Sequence, residues 1–165
     1  MTQHWTHGYS QGELERAQET FGLSFPPDLT DLLLDRRPIR GYDWRTDHSQ
    51  IRAMLAWPIE GILFDVENNA FWLAEWGSRP TETIARREIV QAAVAAAPTL
   101  IPLIGHRFLP SEPNEAGNPV FSVYQTDIIY YGANLEHYFN NEFRGWSASE
   151  DGAYRQIPFW SDLAG

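Results

Sequence analysis

The sequence predicts an α+β domain, with helices packed around one mainly antiparallel sheet, and three observations carry that prediction. Apolar residues recur at helical spacing near the start, again over 81–97 and again after Asn134. Short β-branched and aromatic runs bounded by turn residues lie at 59–76 and 100–131. No repeat, low-complexity run or linker composition divides the 165 residues, so a single domain over 1–165 is expected.

In chain order, Ser10 and Glu13 form a capping box, and Leu14, Ala17 and Phe21 share one face of the helix they open. Gly22 stops it. Pro26-Pro27-Asp28 opens a second helix that turns Leu29, Leu32 and Leu33 inward and ends in the region of Pro38. Residues 39–46 read as an ordered polar loop. Asp47 and Gln50 match a second capping box, for a two-turn helix that should close before Pro58.

Residues 59–66 and 70–76 then read as a hairpin about the turn-rich triplet Glu67-Asn68-Asn69. The helix over 81–97 should face Ile84, Ile89, Ala93 and Ala96 inward and end at Pro98. A strand over 100–108, a polar loop over 110–118 and strands at 120–124 and 128–131 follow. Asn134 caps a last helix with Leu135, Tyr138, Phe139 and Phe143 on one face, and Ile157-Pro158-Phe159-Trp160 in the tail packs against the body.

Composition excludes several chemistries. Hydrophobic residues make up 43% of the chain, too much for a solvating disordered chain. With no cysteine there are no disulfides, thiolate nucleophiles or cysteine zinc sites. All 12 cations are Arg, so a lysine Schiff base is excluded too. A formal charge of −10 repels phosphate backbones, which argues against nucleic acid and anionic membrane as partners. The longest apolar runs fall well short of the roughly 20 residues of a membrane span, and the first ten residues lack a secretory leader pattern, so a cytoplasmic protein is expected.

The search for catalytic motifs yields little. His4 and His7, with two residues between them, have no helix to align them, and Asp43, Asp47 and His48 could supply ligands but Asp47 is already explained as a helix cap, so no metal is expected. Ser122, His106 and Asp127 could be drawn as a triad, but Ser122 lacks the Gly-x-Ser-x-Gly elbow and sits in strand alternation. Gly-rich phosphate loops are absent, so no nucleotide cofactor is expected. An enzyme would require His106, Arg107 and Asp127 to converge on one cavity.

What stands out is the number of aromatic residues with a polar tip, among them Trp44, Trp57, Trp72, Trp76, Tyr124, Tyr130 and Tyr131. Such side chains anchor interfaces because they bury a large area at little entropic cost. Trp44, placed in a loop, is the leading interface candidate; Trp72, Tyr130 and Tyr131 fall on predicted strands.

The block Gly22-Leu23-Ser24-Phe25-Pro26-Pro27-Asp28-Leu29 resembles the opening of the SUKH superfamily, which includes the yeast Smi/Knr cell-wall-assembly regulators and bacterial relatives. Blocks at 105–110, 117–123, 126–132 and 134–135, closing on Glu142-Phe143, are similar to a bacterial subgroup, as is the middle segment from Trp57-Pro58 to Trp76-Gly77. The resemblance implies an α+β fold and, for many bacterial members, immunity proteins that bind and neutralise secreted toxins without any catalytic residue. An acidic surface suits a basic toxin domain as partner. The alternative implied by the fungal relatives is a regulatory or scaffold module of envelope assembly. Trp44, Trp72, His106, Arg107, Asp127, Tyr130 and Tyr131 are the candidate binding residues on this reading.

Overall fold

In the computed structural model, which describes residues 3–149 and 152–165, one four-stranded antiparallel sheet separates two hydrophobic clusters. Its strands, β3 (Leu100–Pro102), β4 (Arg107–Pro110), β5 (Val120–Tyr124) and β6 (Asp127–Gly132), lie side by side in sequence order. A two-stranded sheet pairs β1 (Trp5–His7) with β2 (Arg36–Pro38). The expected tail includes positions 150 and 151, which lie outside the described residues.

Helices α1 (Gln11–Phe21), α2 (Pro27–Asp35) and α5 (Leu135–Arg144) fill one side of the sheet through Leu14, Leu29, Leu33, Tyr138 and Phe139. On the other side, α3 (His48–Asn68), α4 (Thr83–Ala96) and the single turn α6 (Trp160–Leu163) bury Ile62, Val66, Val90 and Trp160. Local signals set several boundaries as expected. The Ser10/Glu13 capping box forms in both directions, Gly22 closes α1 at φ 65, and the Asn134 side chain accepts the amide of His137.

The expected hairpin over 59–66 and 70–76 does not form. The helix expected to stop before Pro58 instead runs through it to Asn68, and 70–73 is irregular chain leading into a 3-10 turn at Ala74–Trp76. Proline normally ends a helix because its ring crowds the preceding turn and it lacks an amide hydrogen. Packing outweighs that cost here, since Ile62 and Val66 are fully buried and Leu63 is 7% exposed. The second capping box fails as well, because the Asp47 carboxylate accepts the amide of Asp43 instead of capping α3.

Three further expectations change. The strand expected over 100–108 is the β3–β4 hairpin, folded back at 103–106. In α4 the buried residues are Arg86 and Val90, while Ile84 is 70% exposed, Ala96 is exposed and Ile89 and Ala93 are only half-buried. Arg86 can lie inside because Glu67 accepts it at 2.9 and 2.7 Å while the carbonyls of Pro80 and Thr81 and the Thr83 hydroxyl accept its remaining donors. Trp44, finally, is not a surface residue: it is 4% exposed and packs edge-on against Phe21 and Phe25. Its loop is pinned by the Tyr9 hydroxyl, which accepts the Trp44 amide and donates to the Tyr42 carbonyl.

One face of α3 clamps the turn between β5 and β6. The Trp57 indole donates to the Val123 carbonyl at 2.8 Å. One turn on, Gly61 leaves room for the backbone of Gln125, whose Cα would stand 2.7 Å from any Cβ there. A further turn on, Asp65 accepts the Thr126 amide at 2.8 Å and the Thr126 hydroxyl at 2.6 Å, and the Asn69 amide at 2.6 Å. Burial raises the Asp65 pKa, but those hydrogen bonds outweigh it and hold the carboxyl below its ordinary range.

Removing either half of the clamp is expected to be costly. Gly61→Ala should lower the unfolding free energy by about 1–3 kcal/mol through overpacking, and Asp65→Ala by about 2–4 kcal/mol through lost charge-assisted hydrogen bonds. Because the folded Asp65 pKa is depressed, its contribution is present above the ordinary value of about 3.9 and fades as pH falls. Urea titrations of wild type and Asp65→Asn between pH 3 and 7 should converge at the acid end.

Candidate functional site

Strand register brings two of the seven candidate residues, Arg107 and Asp127, to one end of one sheet face, with Tyr131 further along the same face. Arg107 on β4 pairs with Ser122 on β5, Ser122 pairs with Ile129 on β6, and Tyr124 pairs with Asp127. Paired residues point the same way and alternate residues share a face, so Arg107, Ser122, Tyr124, Asp127 and Ile129 stand together. Further along that face, Leu109, Val120 and Tyr131 join the cluster beneath α1, α2 and α5. The other end is less covered: Tyr124, edge-on to the Trp57 ring of α3 at 5.8 Å, is 53% and Ile129 41% exposed.

Arg107 organises this open end. Its Nη1 donates to Ser122 Oγ at 2.9 Å and lies 3.2 Å from both ring nitrogens of His106, and its Nε donates to Glu142 Oε2 at 3.3 Å. Its guanidinium carbon sits 4.0 Å over the Tyr131 ring. Glu142 projects from α5 with its side chain 9% exposed, and its other oxygen accepts from Arg40 at 3.3 Å. Two guanidinium groups therefore flank one nearly buried carboxylate, which supplies the pairing that such burial requires. Beside it lies the fully buried Tyr138 hydroxyl, and burial together with the Glu142 charge raises its pKa.

His106 contacts Ser122 at 3.2 Å, Nδ1 to Oγ, and faces Tyr124 edge-on. Burial and the neighbouring Arg107 charge lower its pKa, against a smaller opposing effect of Glu142. The imidazole is therefore neutral near pH 7. Chemically, the group resembles a catalytic serine and histidine less than its spacing suggests. Ser122 is 7% exposed, the group nearest the imidazole is a cation, and among the described residues no hydrogen bond joins Asp127 to His106. A base needs an orienting carboxylate, and here that position is taken by Arg107.

The remaining candidates lie elsewhere. Tyr130 points to the opposite face, where it stacks on Tyr154 at 4.2 Å. Trp72 belongs to a half-buried cluster with Trp76, its indole donating to the Gly77 carbonyl at 2.8 Å. Trp44 is core, as described above. Reading the chain residue by residue singled out neither Glu142 nor Arg40, nor the exposed Ile129. Glu142 carried a signal: four residues after Tyr138, it places a carboxylate on the apolar face of an amphipathic helix, where only a paired charge can stay.

Compared with known proteins, the chain matches no family model, no curated protein and no solved structure.

Two outcomes follow from the arginine network. Arg107→Met should destabilise the fold by about 2–4 kcal/mol, because it leaves Glu142 short of a partner, and adding Glu142→Leu should restore a good part of the loss. Chemical denaturation of the two single variants and the double variant measures the coupling. His106, whose folded pKa is depressed, should cost stability as pH falls below its ordinary value of about 6.5, since the unfolded chain takes up the proton first. His106→Gln should flatten that part of the profile.

Proposed function

We propose that this domain is a non-enzymatic protein-binding module of the immunity type, which holds a bacterial toxin against the open end of the sheet and so neutralises it. The observation that carries the proposal is the exposure of Tyr124 and Ile129 beside a rigid Arg107, His106 and Glu142 network. Large side chains held ready at the centre of a patch, with polar groups already paired around them, are what an interface hot spot requires. The motif blocks on which the resemblance to bacterial SUKH proteins rests build the same strands, β4, β5 and β6, and reach Glu142.

The charge of −10 favours a basic partner by steering its approach, and a nuclease toxin with a cationic substrate groove fits that requirement. Blocking such a groove takes surface complementarity and no chemistry.

Co-expression with a toxin encoded beside this gene provides the test. Wild type should rescue growth and co-purify with the toxin. Tyr124→Arg and Ile129→Asp, both on the surface, should fold normally yet weaken the complex by about 2 kcal/mol or more, roughly thirtyfold. If neighbouring genes yield neither rescue nor complex, or if both variants bind as wild type does, the assignment is wrong.

A further inference from the structure

A groove of about 740 Å³ lies between α5 and α2, with Trp5 of β1 and Arg36 of β2 also lining it. Trp5, Leu32, Leu135, Phe139 and Phe143 supply its apolar lining, with Trp5 edge-on to both phenylalanines and His4 stacked on Phe143 at 4.2 Å. The two helices run in the same direction. Asp28, at the start of α2, accepts the amide of Gly117, which shares a second depression with Asn134 and Glu136 at the start of α5. At the far end Arg36, just past α2, sits 4.3 Å over the Trp5 ring, next to Phe143 and Arg144 in the last turn of α5.

The groove is therefore polarised. Asp28 and Glu136 make one end acidic, and Arg36 and Arg144 make the other basic. Among the described residues, Glu136, Arg36 and Arg144 take part in no ion pair, so their charges are not neutralised by one another. Asp28 to Arg36 and Glu136 to Arg144 are each eight positions apart along these helices, which at 1.5 Å rise per residue sets the distance between the charged ends at about 12 Å.

From this geometry we infer that the groove receives an amphipathic helix of a partner protein, lying antiparallel to α2 and α5. The charge pattern decides the occupant and its direction. Helices favour acidic residues in the first turn and basic residues in the last. A helix with its acidic start at Arg36 and Arg144 and its basic end at Asp28 and Glu136 satisfies both ends of the groove. Its apolar stripe then meets Leu32, Phe139 and Phe143, as in other helix-in-groove complexes. Seated antiparallel, its dipole also opposes those of its two neighbours. This surface is separate from the open end of the sheet, so its test neither needs a toxin nor bears on one.

The probe is a labelled synthetic helix of three turns, with Glu in its first turn, Leu at i, i+3, i+4 and i+7, and Arg in its last. Its counterpart has the charges exchanged. Fluorescence anisotropy with the full chain should show the first peptide binding about tenfold tighter than the second. Leu32→Glu should abolish binding, and Arg36→Glu/Arg144→Glu should remove the preference. Equal affinity for both peptides, no binding at concentrations up to about 1 mM, or a preference that survives the double variant would overturn the proposal. So would a concentration-dependent dimer broken by Leu32→Glu, which would assign the groove to a second copy of the chain.

Discussion

The closure of α3 on the β5–β6 turn is the constraint from which the surface described here follows. A two-residue turn joins Tyr124 to Asp127, and its first residue, Gln125, holds φ 57, a conformation that side chains other than glycine adopt at a cost. Three successive turns of α3 hold it there. Trp57 bonds the strand before the turn, Gly61 lets the backbone approach, and Asp65 saturates Thr126. A slip of one residue in this hairpin would exchange the faces of β5, sending Phe121 and Val123 outward and Ser122 and Tyr124 inward. The clamp thus selects which side chains the open end displays.

A second restraint works from the opposite side of the sheet. Arg107 and Glu142 join β4 to α5, and Arg40 ties the chain after β2 to the same carboxylate. Because these donors and acceptors are already paired with one another, Tyr124 and Ile129 can be covered by a partner without stranding a buried charge beneath them. A rigid patch of this kind loses little conformational freedom on binding, and long-range charge governs how quickly partners arrive.

Signals confined to a few consecutive residues were legible in the sequence. The Ser10 and Glu13 box, Gly22, the Asn134 cap and the strands from Val120 onward require no knowledge of distant chain. Misreadings arose where distant chain decides. Pro58 marks a stop by local rules, and burial of the helix beyond it overrides them. In that helix, Trp57, Gly61 and Asp65 recur every four residues, a helical signature hidden by β-branched and aromatic neighbours. Trp44 reads as a loop residue, and contacts distant in the chain, the Tyr9 hydroxyl and the rings of Phe21 and Phe25, hold it inside. In the helix over 81–97, Ile84, Ile89, Ala93 and Ala96 read as the inward face, whereas Arg86 is buried through acceptors on Glu67, Pro80, Thr81 and Thr83. Of the candidate site, Arg107, Asp127 and Tyr131 gather on one face as a consequence of strand register, whereas His106 joins from the turn before β4 and Glu142 and Arg40 reach it from elements that no local pattern connects.

Native-state hydrogen exchange at the β5–β6 turn tests most directly whether the open end is pre-formed. The Thr126 amide, bound by a buried carboxylate at 2.8 Å, should exchange as slowly as the central amides of β5, through openings close to global unfolding. Exchange at the rate of an exposed hairpin tip, with the amides of Val123 and Ile128 frayed alongside, would contradict the account.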